Sequence, residues 1–136
     1  MERRLINPGS LAEPRGFNHG ILVRGGRLLF LSGQDASDGA GHVVAPGDLV
    51  GQFAQVLRNL AAVVTAAGGT PADVAQITIF VRDRDDYAAN LTPLGRVFRE
   101  HFGGHYPATA LFQVSGFFNP EALVEIQGIG VLSEEE

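Results

Sequence analysis

Tyr106-Pro107-Ala108-Thr109-Ala110-Leu111-Phe112-Gln113-Val114 reads as a loop entering a β-strand. Pro107 locks the entry angle, because its ring fixes φ and it has no N–H to donate to a ladder. From there side chains alternate between the two faces of a sheet. Ala108, Ala110, Phe112 and Val114 form an apolar face, and Thr109, Leu111, Gln113 and Ser115 a mixed one. A hydroxyl at the mouth of an otherwise buried strand is placed to point chemistry into a cleft.

Outward from that strand, the chain supplies the rest of a small α+β domain. Gly103-Gly104 precedes it and ends a helix expected over Asp86 to Phe102, whose stripe is Tyr87, Leu91, Leu94, Phe98 and Phe102. Pro93 lies inside that stretch. It either opens a new helix behind a Thr92 cap or kinks the existing one. Further upstream, Gln76–Arg82 alternates as a strand, and Thr70-Pro71-Ala72-Asp73 reads as a helical turn. Asp48 caps a helix whose stripe is Phe53, Leu57, Leu60 and Val64, and Gly68-Gly69 ends it. Ile21–Arg24 and Leu28–Ser32 flank Gly25-Gly26 and predict a β-hairpin. Short strands are expected at Arg4–Ile6 and His42–Val44. Downstream, Gly116–Pro120 turns the chain into a last strand over roughly Ala122–Leu132.

The expected architecture is one domain over residues 1–136, a mixed sheet with two helices on one face. On the other face, Phe80, Leu111, Ile129 and Val131 are too apolar for open solvent, which predicts cover by further copies of the chain.

With 136 residues, 45% hydrophobic, the chain can bury a single core. The absence of cysteine excludes disulfides, thiolate nucleophiles and thiolate metal sites, and suits a reducing, cytoplasmic setting. No apolar run approaches a membrane span, and the N-terminus has no apolar targeting core. Net charge is −5, with an acidic tail at Glu134–Glu136. The ten cationic residues are all arginine and form no stripe, which disfavours nucleic acid as a partner. His19, His42, His101 and His105 lack metal-ligand spacing, so no metal site is expected.

Several ordered pieces carry a resemblance: Phe17-Asn18-His19-Gly20, Leu31-Ser32-Gly33-Gln34, Asp86-Tyr87-Ala88-Ala89, Tyr106-Pro107-Ala108 and Val124-Glu125-Ile126-Gln127. Together they resemble the Rid superfamily, also called YjgF/RidA or L-PSP endoribonuclease-like. The resemblance implies a chorismate-mutase-like α+β fold, a homotrimer with ligand clefts between subunits, and cofactor-free hydrolysis of enamines and imines to 2-oxo acids and ammonia. It also implies that deaminating members carry an arginine for the substrate carboxylate where this chain has Thr109. A neutral hydroxyl in place of that charged fork loses on the order of 1.5–3 kcal/mol toward a carboxylate. A family cysteine is replaced by Leu111 and a tyrosine by Phe17.

Glu125 is the candidate catalytic residue: a carboxylate among apolar neighbours has its pKa raised by desolvation, which suits proton transfer to or from a water. Ser32 and Gly33 can present a hydroxyl and a closely approaching backbone to a ligand. Phe17, His19, Thr109, Ala110, Leu111 and Phe117 complete the expected substrate-binding set. Arg15, Arg24 or Arg27 can replace the anion anchor if the fold brings one to the cleft. The expected function is hydrolysis of a C=N or enamine compound other than 2-aminoacrylate. The alternatives are a non-catalytic trimer that binds a small ligand, and a ribonuclease, which the acidic charge disfavours.

Overall fold

The computed structural model describes residues 1–134, so the last two residues of the acidic tail lie outside the described residues. Six strands and three helices follow in the order β1 (Glu2–Ile6), β2 (Gly20–Arg24), β3 (Arg27–Gln34), α1 (Leu49–Ala66), β4 (Val74–Val81), α2 (Arg84–Ala89), α3 (Leu91–Phe102), β5 (Ala108–Gln113) and β6 (Val124–Leu132). The main sheet runs β3-β6-β4-β5; β4 and β5 are parallel and the other pairs antiparallel.

The helix signals act where the sequence places them. Asp48 accepts the Gly51 N–H at 3.0 Å and opens α1. Phe53, Leu57, Leu60 and Val64 are each no more than 1% exposed, packed on Ile77, Ile79, Val81, Val124 and Ile126 of the sheet. Gly68 takes a left-handed φ of 91° just past the helix. By length and a mean hydropathy of 1.2, α1 is long and apolar enough to cross a membrane, contrary to the expectation that no run approached this. Its apolar stripe is instead spent on the domain's own core.

The long second helix is interrupted, but earlier than Pro93. Asn90 leaves the helical region (φ −119°, ψ 24°), and its side-chain amide turns back to the Asp86 carbonyl at 2.7 Å. Leu91 then opens α3, so Pro93 falls in the first turn, where its missing N–H has no helical partner to lose.

The predicted hairpin does not form. β2 pairs with β1 as a separate two-stranded sheet, and β3 pairs with β6. Gly25 and Gly26 have φ of 77° and 94°, and a side chain at Gly26 would run into Val131 and Leu132. The two glycines therefore turn a corner over the end of β6 instead of closing a ladder. Residues 42–44 make only one bridge, Ser37 to Val43, and no strand.

Both faces of the sheet differ from expectation in one respect. Leu111 pairs in register with Ile79 and shares its helix-covered side, and Val131 is 5% exposed beneath the Gly26 corner. The open face is made instead by Leu28, Phe30, Phe80, Phe112 and Ile129, with Phe80 and Phe112 stacked at 6.2 Å.

Candidate functional site

The expected site residues separate into two groups on opposite faces of one sheet. The first surrounds Glu125. Leu31 pairs with Gly128 and Gln34 with Ile126, so Ser32 and Gly33 together face the single residue Gln127. This extra residue is a β-bulge, which takes local backbone out of the regular ladder and re-aims its side chains. A Cβ at Gly33 would overlap the Glu125 carboxylate, so the glycine makes room for Glu125 itself. Burial and then the negative charge of Asp35 raise the Glu125 pKa above the ordinary carboxylate range. Asp35 is held by the Ser37 N–H at 3.0 Å and by the Ser37 hydroxyl, so its charge stays near Glu125.

The second group lies on the helix side. Thr109 and Leu111 pair with Ile77 and Ile79, and between this part of the sheet and α2–α3 lies a cavity of about 530 Å³. Phe53, Leu94 and Phe98 supply its apolar wall, and Tyr87 and Tyr106 add aromatic rings bearing hydroxyls. Burial raises the Tyr87 pKa, which keeps that phenol protonated. The Thr109 hydroxyl donates to the Pro107 carbonyl at 2.9 Å. What remains for a ligand is an oxygen lone pair, so Thr109 meets an anion poorly.

The N-terminal arm reaches this cavity through Asn18. Its amide N–H donates to the Pro107 carbonyl at 3.2 Å, its side chain to the Tyr106 carbonyl at 2.6 Å, and Asn7 bonds it from the other side at 2.8 Å. Arg15, Gly16 and Phe17 are thereby laid over the cavity. Of the three arginines proposed as substitute anchors, Arg15 arrives. Arg24 pairs with Glu2 at 3.6 Å and Arg27 bonds the Ser133 carbonyl at 2.9 Å, both remote from it.

Register puts Glu125 opposite Phe80, on the face away from Ile77, Ile79 and Thr109. Within one chain, Glu125 and Thr109 therefore cannot act on one small molecule. Ala110 lies on the Glu125 face, separated from its neighbours Thr109 and Leu111 by strand alternation. His19 bonds the Ala12 carbonyl at 2.7 Å and meets Phe17 edge-on at 5.1 Å, so it braces the arm and does not line the cavity. Phe117 is half-buried in the connection after β5 and lines no part of the cavity.

Arg99 and Gly95 also line the cavity, and sequence reading passed over both. The available signal was Gly95 itself, a glycine inside the stripe of Leu91, Leu94 and Phe98, four residues before Arg99. Among the described residues, no group of three His, Cys, Asp or Glu side chains is placed to hold a metal ion.

Comparisons with known proteins bear on the family and the fold. The sequence pattern of the family described as endoribonuclease L-PSP matches residues 10–132. A RutC family protein of Pyrococcus horikoshii is 33% identical over 107 residues, which is 79% of this chain and 81% of that protein. The crystal structure of a Rid family protein of unknown function from Yersinia pestis superposes with a TM-score of 0.86 at 35% identity, covering 97% of this chain and all of the other. A Mycobacterium tuberculosis member of the YjgF/YER057c/UK114 family gives a TM-score of 0.64 at 25% identity, over 96% of this chain and all of that one. The bulge at Ser32-Gly33, the glutamate it accommodates and the Tyr106-Pro107-Ala108 entry to β5 thus sit in a chain that belongs to the Rid superfamily, the family of endoribonuclease L-PSP.

Proposed function

We propose that this chain hydrolyses a small C=N or enamine compound at a site completed by a second copy of itself, in a homotrimer. The observation that carries the reading is the seat of Glu125: a carboxylate lodged against the Ser32-Gly33 bulge, with its pKa raised by burial and by Asp35. Such a group is suited to hold a water and take its proton. As the water oxygen bonds to the C=N carbon, its proton passes to Glu125 and the nitrogen gains the electron pair. The proton then goes to nitrogen, giving a carbinolamine. Its hydroxyl proton passes to the amine, the C–N bond breaks with its electron pair leaving on nitrogen, and a carbonyl compound and ammonia leave. Because Glu125 and the Thr109 cavity lie on opposite faces, one copy supplies the carboxylate and its neighbour the pocket.

The second reading is a trimer that binds a ligand without turning it over. It is favoured by the Thr109 hydroxyl, whose proton is already used on Pro107. Glu125→Gln separates the two. With imines generated in situ and ammonia release as the readout, the hydrolase loses turnover by about 10²–10⁴-fold. The wild-type rate falls as pH drops through a pKa above the usual glutamate range, because the base must be ionised. Ammonia release that is equal in variant and wild type leaves the binding reading.

A further inference from the structure

Two arginines, Arg15 from the arm and Arg99 from α3, line the cavity under Thr109 at its solvent-exposed rim, and no Asp or Glu lines it. Among the described residues, neither guanidinium has a hydrogen-bond or ion-pair partner. Each offers a planar fork of donors that stays charged at physiological pH. Two unpaired forks beside one apolar volume suit an anion whose remainder is apolar.

The walls specify that remainder further. Phe98 lies parallel to Tyr106 at 5.7 Å and 5°, and Phe53 meets Tyr87 edge-on at 6.3 Å and 72°. An aromatic guest can extend either arrangement. The volume of about 530 Å³ falls in the range of roughly 300–1,000 Å³ that takes drug-sized ligands, far more than a three-carbon imino acid fills.

Gly95 is an independent indication. It sits mid-helix in α3, where glycine is a poor helix former. A Cβ there would meet only the Arg99 guanidinium, at 3.4 Å, an ordinary contact. Neither backbone conformation nor packing within the chain calls for glycine. Its effect is to leave the cavity wall beside Arg99 unfilled.

We propose that this cavity binds an aromatic monocarboxylate, with the ring in the aromatic volume and the carboxylate on Arg15 and Arg99. As a substrate class this rests on the hydrolase reading above: the substrate is the imine or enamine of an aromatic 2-oxo acid. Arg15 and Arg99 then supply from the arm and from α3 the anion contact that Thr109 does not.

Isothermal titration of the full chain with phenylpyruvate, pyruvate and neutral phenylacetone tests it. Phenylpyruvate is expected to bind at least about tenfold more tightly than either control, since it alone has both ring and charge. The double variant Arg15→Gln/Arg99→Gln is expected to bind phenylpyruvate no better than phenylacetone. Gly95→Leu favours the helix, which a thermal melt checks, and is expected to weaken phenylpyruvate by about tenfold or more by filling the cavity. Equal affinity for phenylpyruvate and pyruvate, or wild-type binding by both variants, overturns the inference. If the binding pattern holds and no imine is hydrolysed, the hydrolase reading falls and the aromatic anion site stands. If Glu125-dependent hydrolysis occurs with no preference for phenylpyruvate, this inference falls alone.

Discussion

Glu125 illustrates how a single side chain depends on its neighbours. The sequence places it on a strand among apolar residues, and the expected raised pKa follows from that burial. The second contribution, from Asp35, comes from a residue ninety positions earlier and was not legible before the chain folded. The sign of the stability effect follows. A carboxyl with a raised pKa binds its proton more tightly in the folded chain than in the unfolded one. As pH rises from the ordinary glutamate range through the raised value, the folded state holds the extra proton and stability falls. Glu125→Gln removes this dependence. Thermal melts are expected to show the variant at least as stable as wild type at neutral pH, with the difference closing at pH below the ordinary carboxylate range. A variant less stable at neutral pH would contradict the assigned cause. Gly33 changes meaning in the same way: glycine suggested close approach of a ligand, whereas its missing side chain first makes room for Glu125.

Among the elements, those with strong local signals form as read. The Asp48 cap, the α1 stripe and the Gly68 stop are interactions within a few residues, so sequence spacing is enough to find them. The β2–β3 hairpin failed for the converse reason. Gly25-Gly26 is a turn signal, but a turn does not say which strands pair across it, and β3 is claimed by β6 through nearly its whole length. Gln52 links an element to the site. Fully buried, it accepts the Leu123 N–H at 2.8 Å and donates to the Glu121 carbonyl at 3.1 Å, fixing the approach to β6 just ahead of Glu125. Gln52→Leu keeps the volume and leaves both groups unsatisfied, at a cost of about 1–3 kcal/mol. Urea denaturation should show that loss; an unchanged midpoint and slope would mean that the 121–123 segment finds other partners.

The whole molecule is organised by a sheet with one covered and one open face. Leu28, Phe30 and Phe112 are 65%, 71% and 54% exposed on the open side, the side that also carries Glu125. Contiguous apolar area of this kind marks an interaction surface. The hydrolase proposed above requires self-association through such a surface, because Glu125 and the Thr109 cavity lie on opposite faces of one chain. Phe30→Glu puts a charge into that surface without touching the core, so sedimentation should show the oligomer dissociating while the circular dichroism spectrum is kept. An oligomer that survives Phe30→Glu would place the subunit contact elsewhere.

The sequence by itself determined the class of fold, the core helix α1 and the upward direction of the Glu125 pKa, because periodicity, caps and side-chain identity are local properties. It also contained the ordered motifs that mark the superfamily. Only the tertiary structure decided which face each strand residue occupies, since β3 and β6 pair across about one hundred residues and a bulge shifts their register. It likewise brought Arg15 to Arg99 and set Glu125 apart from Thr109. These placements depend on contacts between distant segments, and no spacing along the chain encodes them.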